Sequence, residues 1–77
     1  MTYAVDIHAG GQKIATGQVD ADGQISNVQA VDGKGMGYGR YVQIAVKDGA
    51  HTGASISVLV MGDEDGKVTL EHPMPFK

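Results

Sequence analysis

Apolar residues recur at every second position along most of this chain, and glycine or Asp-Gly breaks interrupt the pattern after runs of about four to eight residues. A period of two sends successive side chains to opposite faces of an extended strand. The sequence therefore predicts short strands joined by tight turns. Tyr3, Val5, Ile7 and Ala9 alternate with Ala4, Asp6 and His8, the pattern of a half-buried strand. Gly10-Gly11 follows, and both residues accept the positive φ that a two-residue hairpin turn demands. A second strand is expected from Gln12 to Val19. Its phase is faulty, because Ile14 and Val19 cannot share a face without a slip, and Gly17 between them predicts a bulge.

Asp20-Ala21-Asp22-Gly23 reads as a turn, and Ile25–Val31 as a third strand with the weakest alternation in the chain. Tyr41–Lys47 places Val42, Ile44 and Val46 on one face. Three alternating β-branched residues favour a strand there over the short helix that 40–48 could otherwise form. Ala54–Met61 is apolar on both faces, with Ile56, Val58 and Val60 on one side and Leu59 and Met61 on the other. After an acidic turn at 62–66, Lys67–His72 is the last strand, with Val68 and Leu70 inward. The expected fold is all-β: a small antiparallel six-stranded meander closing into a barrel or a two-layer sandwich, since a single flat sheet would leave an apolar face wet. The alternative is α+β with one short helix near 40–48. Residues 1–72 form one domain on this reading, and 73–77 an extended tail, because Pro73 and Pro75 fix φ and restrict their predecessors.

Size makes such a domain marginal. A chain of 77 residues buries only about 60% of the surface its unfolded state exposes. It has no cysteine, so disulfides and thiolate metal sites are excluded, and a reducing compartment fits. The net charge of −3 is too mild for a DNA mimic and has the wrong sign for a general nucleic-acid binder. The N-terminal residues lack the basic and apolar regions of a signal peptide, and no apolar run approaches bilayer length. A cytoplasmic location without membrane contact is the expectation.

A faint internal echo links two turns. Val19-Asp20-Ala21-Asp22-Gly23-Gln24-Ile25-Ser26 is similar to Gly62-Asp63-Glu64-Asp65-Gly66-Lys67-Val68-Thr69. Two equivalent hairpins would produce it, as would the common use of Asp-Gly in turns. Asp-x-Asp-Gly is also a fragment of an EF-hand loop. Here Gln18 and Met61 stand where the first acid belongs, and Gln29 and His72 where the closing Glu belongs, so plain turns are the better reading.

The most unusual segment is Gly33-Lys34-Gly35-Met36-Gly37-Tyr38-Gly39-Arg40. It is neither a P-loop nor a dinucleotide fingerprint. If extended, its glycines share one face, and Lys34, Met36, Tyr38 and Arg40 share the other. That face offers two cations, a soft apolar group and an aromatic ring as a contact strip; the plainer alternative is a surface loop. A second candidate surface combines Leu59, Met61, Met74 and Phe76 as an apolar patch suited to self-association or to a partner. His8, His51 and His72 lack any zinc-motif spacing and read as solvated, so no metal or other cofactor is expected.

Catalytic residues are not expected either. Gly53-Ala54-Ser55-Ile56-Ser57 is not a nucleophile elbow, and a domain this small has little room for a pocket of about 300 Å³ or more. The expected function is a non-enzymatic protein-interaction module, such as an accessory subunit or a small inhibitor or adaptor of a larger complex. The alternatives are nucleic-acid or anion binding through the Lys34–Arg40 strip, and a structural subunit of a homodimer or larger homo-oligomer. These differ in salt dependence, which is steep only for nucleic acid.

Overall fold

Six strands build the wall of a closed antiparallel barrel in the computed structural model, which describes residues 2–31, 39–64 and 67–75. They are β1 (Tyr3–Ala9), β2 (Gln12–Val19), β3 (Ile25–Ala30), β4 (Tyr41–Val46), β5 (Ser55–Glu64) and β6 (Lys67–Leu70). Residues 40–48 therefore carry a strand and not the alternative short helix. The acidic segment begins as strand, since β5 continues to Glu64.

The order around the barrel is β1-β2-β3-β6-β5-β4. This is not a simple meander, in which β4 would lie beside β3. The chain makes one three-stranded meander and crosses the barrel. It then makes a second meander, whose first strand pairs with β1 and whose last pairs with β3. A sequential meander would close by pairing β6 with β1; this order closes the barrel instead by joining like strands of the two halves, and leaves no open edge. The echoed segments fall at the matching β2–β3 and β5–β6 connections, and the equivalent residues Ile25 and Val68 are direct partners across the seam. Such self-pairing is what an approximate two-fold relation between the halves requires.

Alternation decides the core. Val5 and Ile7, Val42, Ile44 and Val46, Val58 and Val60, and Val68 and Leu70 all point inward and are buried, as their period of two predicts. Gly10 and Gly11 both take positive φ (59° and 81°) and close the β1–β2 hairpin in two residues.

The slip in β2 lies elsewhere than Gly17. Ile7 pairs with Ala15 and His8 with Lys13, so Ile14 is the extra residue, and Ala15 and Val19 then reach the core together. A second irregularity does fall opposite Gly17, but its extra residue is on β3, where Asn27 adopts φ 53°. Gly17 is needed there for space. A Cβ on it would lie 2.7 Å from Ile25 Cγ2. A third bulge places Met61 unpaired between Val60 and Gly62.

The seam between β3 and β6 is thin. Ile25 and Val68 are its single partner pair among the described residues. Beyond it the Leu70 N–H is donated to Gln24 Oε1 at 3.3 Å, so a side chain takes over from the backbone ladder. The tail is not a free appendage to residues 1–72. Met74 is 1% exposed and belongs to the core. Its N–H is donated to the Gly23 carbonyl at 2.9 Å, which lays the tail across the β2–β3 turn.

Candidate functional site

The sequence-predicted residues divide in three. Lys34, Met36, Tyr38 and Phe76 lie outside the described residues. Arg40 is exposed at the entrance to β4, where its carbonyl accepts the Val60 N–H at 2.9 Å. Leu59 and Met61 lie on the outer wall of β5. Met74 does not join them. It is an internal residue of the core, so the proposed apolar patch of Leu59, Met61, Met74 and Phe76 is not one surface. Chain connectivity explains the error: residues 73–75 turn back to Gly23 and bury Met74, away from the outer side of β5.

The outer wall gains a residue that periodicity alone did not single out. Tyr41 is the direct cross-strand partner of Leu59, and it is 64% exposed. Met61, two residues further along β5, is 44% exposed. Tyr41, Leu59 and Met61 thus make an apolar stripe with Arg40 adjacent in sequence. The signal was present in the outward phase of Tyr41 relative to Val42 and Ile44; the pairing of β4 with β5 was needed to use it.

A different arrangement occupies the far end of β4. A partly enclosed cavity of about 390 Å³ opens between the start of β1, the β2–β3 turn and the loop after β4. Its lining is mostly apolar and includes Tyr3, Ala21, Val46 and Ala50, together with Asp20, Asp48 and His51. The expectation that so small a domain has little room for a pocket of this size is corrected by that volume. An eight-residue excursion between Val46 and Ser55 carries one wall beyond the barrel rim.

Both carboxylates are held by backbone. Asp20 Oδ1 accepts the N–H of Asp22 at 2.9 Å and of Gln24 at 3.1 Å, which folds the β2–β3 turn. Asp48 Oδ1 accepts the Ala4 N–H at 2.8 Å, and the Lys47 N–H is donated to the Ala4 carbonyl at 2.9 Å. The loop is braced further by Thr52 Oγ1, donating to the Gly49 carbonyl at 2.8 Å.

Burial raises the Tyr3 phenol above its ordinary value of 10.0. A folded-state pKa above the unfolded one means that the native state holds this proton more tightly. The contribution is fully present below pH 10 and is lost as pH rises through the raised value. Tyr3→Phe is thus expected to flatten the alkaline side of a stability–pH profile, as read by urea denaturation between about pH 9 and 11.

Elsewhere the titratable groups are dispersed. His8 sits on β1 opposite Lys13 and Gln43, His51 lies in the loop after β4, and His72 follows β6 with Nδ1 3.2 Å from the Pro73 carbonyl. Among the described residues, no three His, Cys, Asp or Glu side chains converge as metal ligands do. Asp6, on the same wall as His8, is 18% exposed, with Oδ1 3.3 Å from Lys13 Nζ and 3.7 Å from Lys47 Nζ. These are ionic contacts without hydrogen-bond geometry at that oxygen. With both lysines largely in solvent, such pairs stabilise by about 1 kcal/mol at most. No helix among the described residues is long and apolar enough to cross a membrane. No protein-family model matches this chain, and no curated protein or solved structure matches it.

Proposed function

We propose that this domain is a non-enzymatic protein-interaction module, an accessory subunit or adaptor that docks onto a larger protein through the outer wall of β4 and β5. The observation that carries this reading is the exposed cross-strand stripe of Tyr41, Leu59 and Met61. A marginal domain gains nothing in its own folding from leaving a tyrosine and a methionine in water on adjacent strands. Covering such groups favours association, at about 1.5–3 kcal/mol for an apolar side chain fully removed from solvent. Tyrosine and arginine are the residue types that most often anchor protein contacts, and methionine adapts its shape to a partner.

Tyr41→Ala and Met61→Ser test the proposal, because both side chains point outward and their loss should leave the thermal melt in place. Affinity capture with the unaltered protein identifies a partner, and calorimetry then measures each variant against that purified partner. The Tyr41→Ala variant is expected to bind about 30-fold more weakly, the loss of one central contact of about 2 kcal/mol. Equal affinity of both variants for the captured partner would sink the reading. Binding that collapses between low and moderate salt would instead indicate nucleic acid. A concentration-dependent dimer abolished by the same variants would indicate self-association.

A further inference from the structure

The geometry points to the barrel-end cavity as a binding site for a small organic cation: an ammonium group carried on a compact aromatic or aliphatic body. At about 390 Å³ it falls in the size range of small-molecule pockets. Three features select the ligand class. The lining is mostly apolar, with Val46 and Tyr3 among its walls, so a purely ionic or heavily hydrated ligand would leave that surface unsatisfied. Asp20 and Asp48 both line it, and each binds backbone N–H groups through Oδ1. Lys13 and Lys47 both pair with Asp6 on the outer wall. Tyr3, an aromatic residue, also lines the cavity, and aromatic rings attract cations and not anions.

The site is separate from the proposed protein-binding stripe. Tyr41 and Val46 stand at opposite ends of β4, about 17 Å apart at 3.3 Å per residue. The two readings can thus fail independently.

The test is a titration of isotope-labelled protein by two-dimensional NMR with 2-phenylethylamine, set against 3-phenylpropionate as an anion of similar shape. The ammonium compound should shift the amides of Gly23, Val46, Gly49 and His51 saturably, while the carboxylate leaves them unmoved. Asp20→Asn and Asp48→Asn retain Oδ1 as an acceptor, so the turn and the loop keep their hydrogen bonds. Each should weaken amine binding about fivefold, the effect of one partly exposed charge contact. Met61→Ser on the outer wall should not change it. Three results would overturn the inference. One is no saturable shift up to about 10 mM amine, the weak limit for so small a ligand. Another is equal affinity for the anion. The last is unchanged amine affinity in both Asn variants with the fold retained.

Discussion

Deleting residues 73–77 is expected to cost about 2–5 kcal/mol, the range for removing a large buried side chain from a packed core. Met74 is 1% exposed among the inward valines and isoleucines, so its loss opens one end of the barrel. The N–H to Gly23 carbonyl bond goes with it. A domain of this size has a total stability of roughly 4–12 kcal/mol at 0.05–0.15 kcal/mol per residue. The truncation therefore removes about a sixth of what holds the fold at the least, and much more at the upper end of the range. Urea denaturation followed by circular dichroism reads the effect as a lower midpoint. Met74→Leu conserves volume and should cost less than about 1.5 kcal/mol, which separates loss of packing from loss of chain. A truncated protein with an unshifted midpoint would show that the tail is dispensable and that the core closes without it.

Gly23→Ala is expected to destabilise by about 3 kcal/mol, for two reasons that can be measured apart. Gly23 has φ 80°, in the left-handed region that costs an L-residue about 1–2 kcal/mol. In addition, its new Cβ would stand 2.7 Å from Pro73 Cβ and 3.1 Å from the Met74 nitrogen. Overpacking of that kind costs about 1–3 kcal/mol. Pro73→Gly removes the nearer of the two contacting atoms. Combining it with Gly23→Ala should recover part of the clash and leave the backbone strain, so the pair should be non-additive by about 1 kcal/mol. Strict additivity in urea denaturation would mean that the tail does not press on this turn.

These two expectations rest on contacts that sequence reading did not supply, and the reason is physical. A period of two tells which face a residue occupies, and it does so locally. Hence Val42, Ile44 and Val46, or Val58 and Val60, were legible as core, and Gly10-Gly11 as a turn with positive φ. Which strand lies beside which depends on residues far apart in the chain. The pairing of β4 with β1 left no local mark, and neither did the return of Met74 to Gly23. One non-local signal did exist: the similarity of Asp20–Ser26 to Asp63–Thr69 pointed to two equivalent hairpins or to the common use of Asp-Gly, and it did not say that Ile25 and Val68 would pair. The slip in β2 was legible as a fault in phase, yet glycine drew it to position 17. Ile14 shows instead that a bulge can sit at an apolar residue still partly packed on the core. The cavity was invisible because its walls come from three separate loops and strand ends. Among the interaction residues, Leu59 and Met61 were readable from outward phase, whereas Tyr41 needed a neighbour before it acquired meaning.

The two-fold plan of the wall has a consequence for how the ends of the molecule came to differ. A tandem gene duplication would need instructions for only three strands, used twice, and would begin with two like rims. Here the β1–β2 connection is the two residues Gly10-Gly11, while its counterpart between β4 and β5 is the long excursion after Val46. Lengthening of that single linker, with the staves of the barrel left alone, would supply one wall of a recess at one of two mouths that began alike.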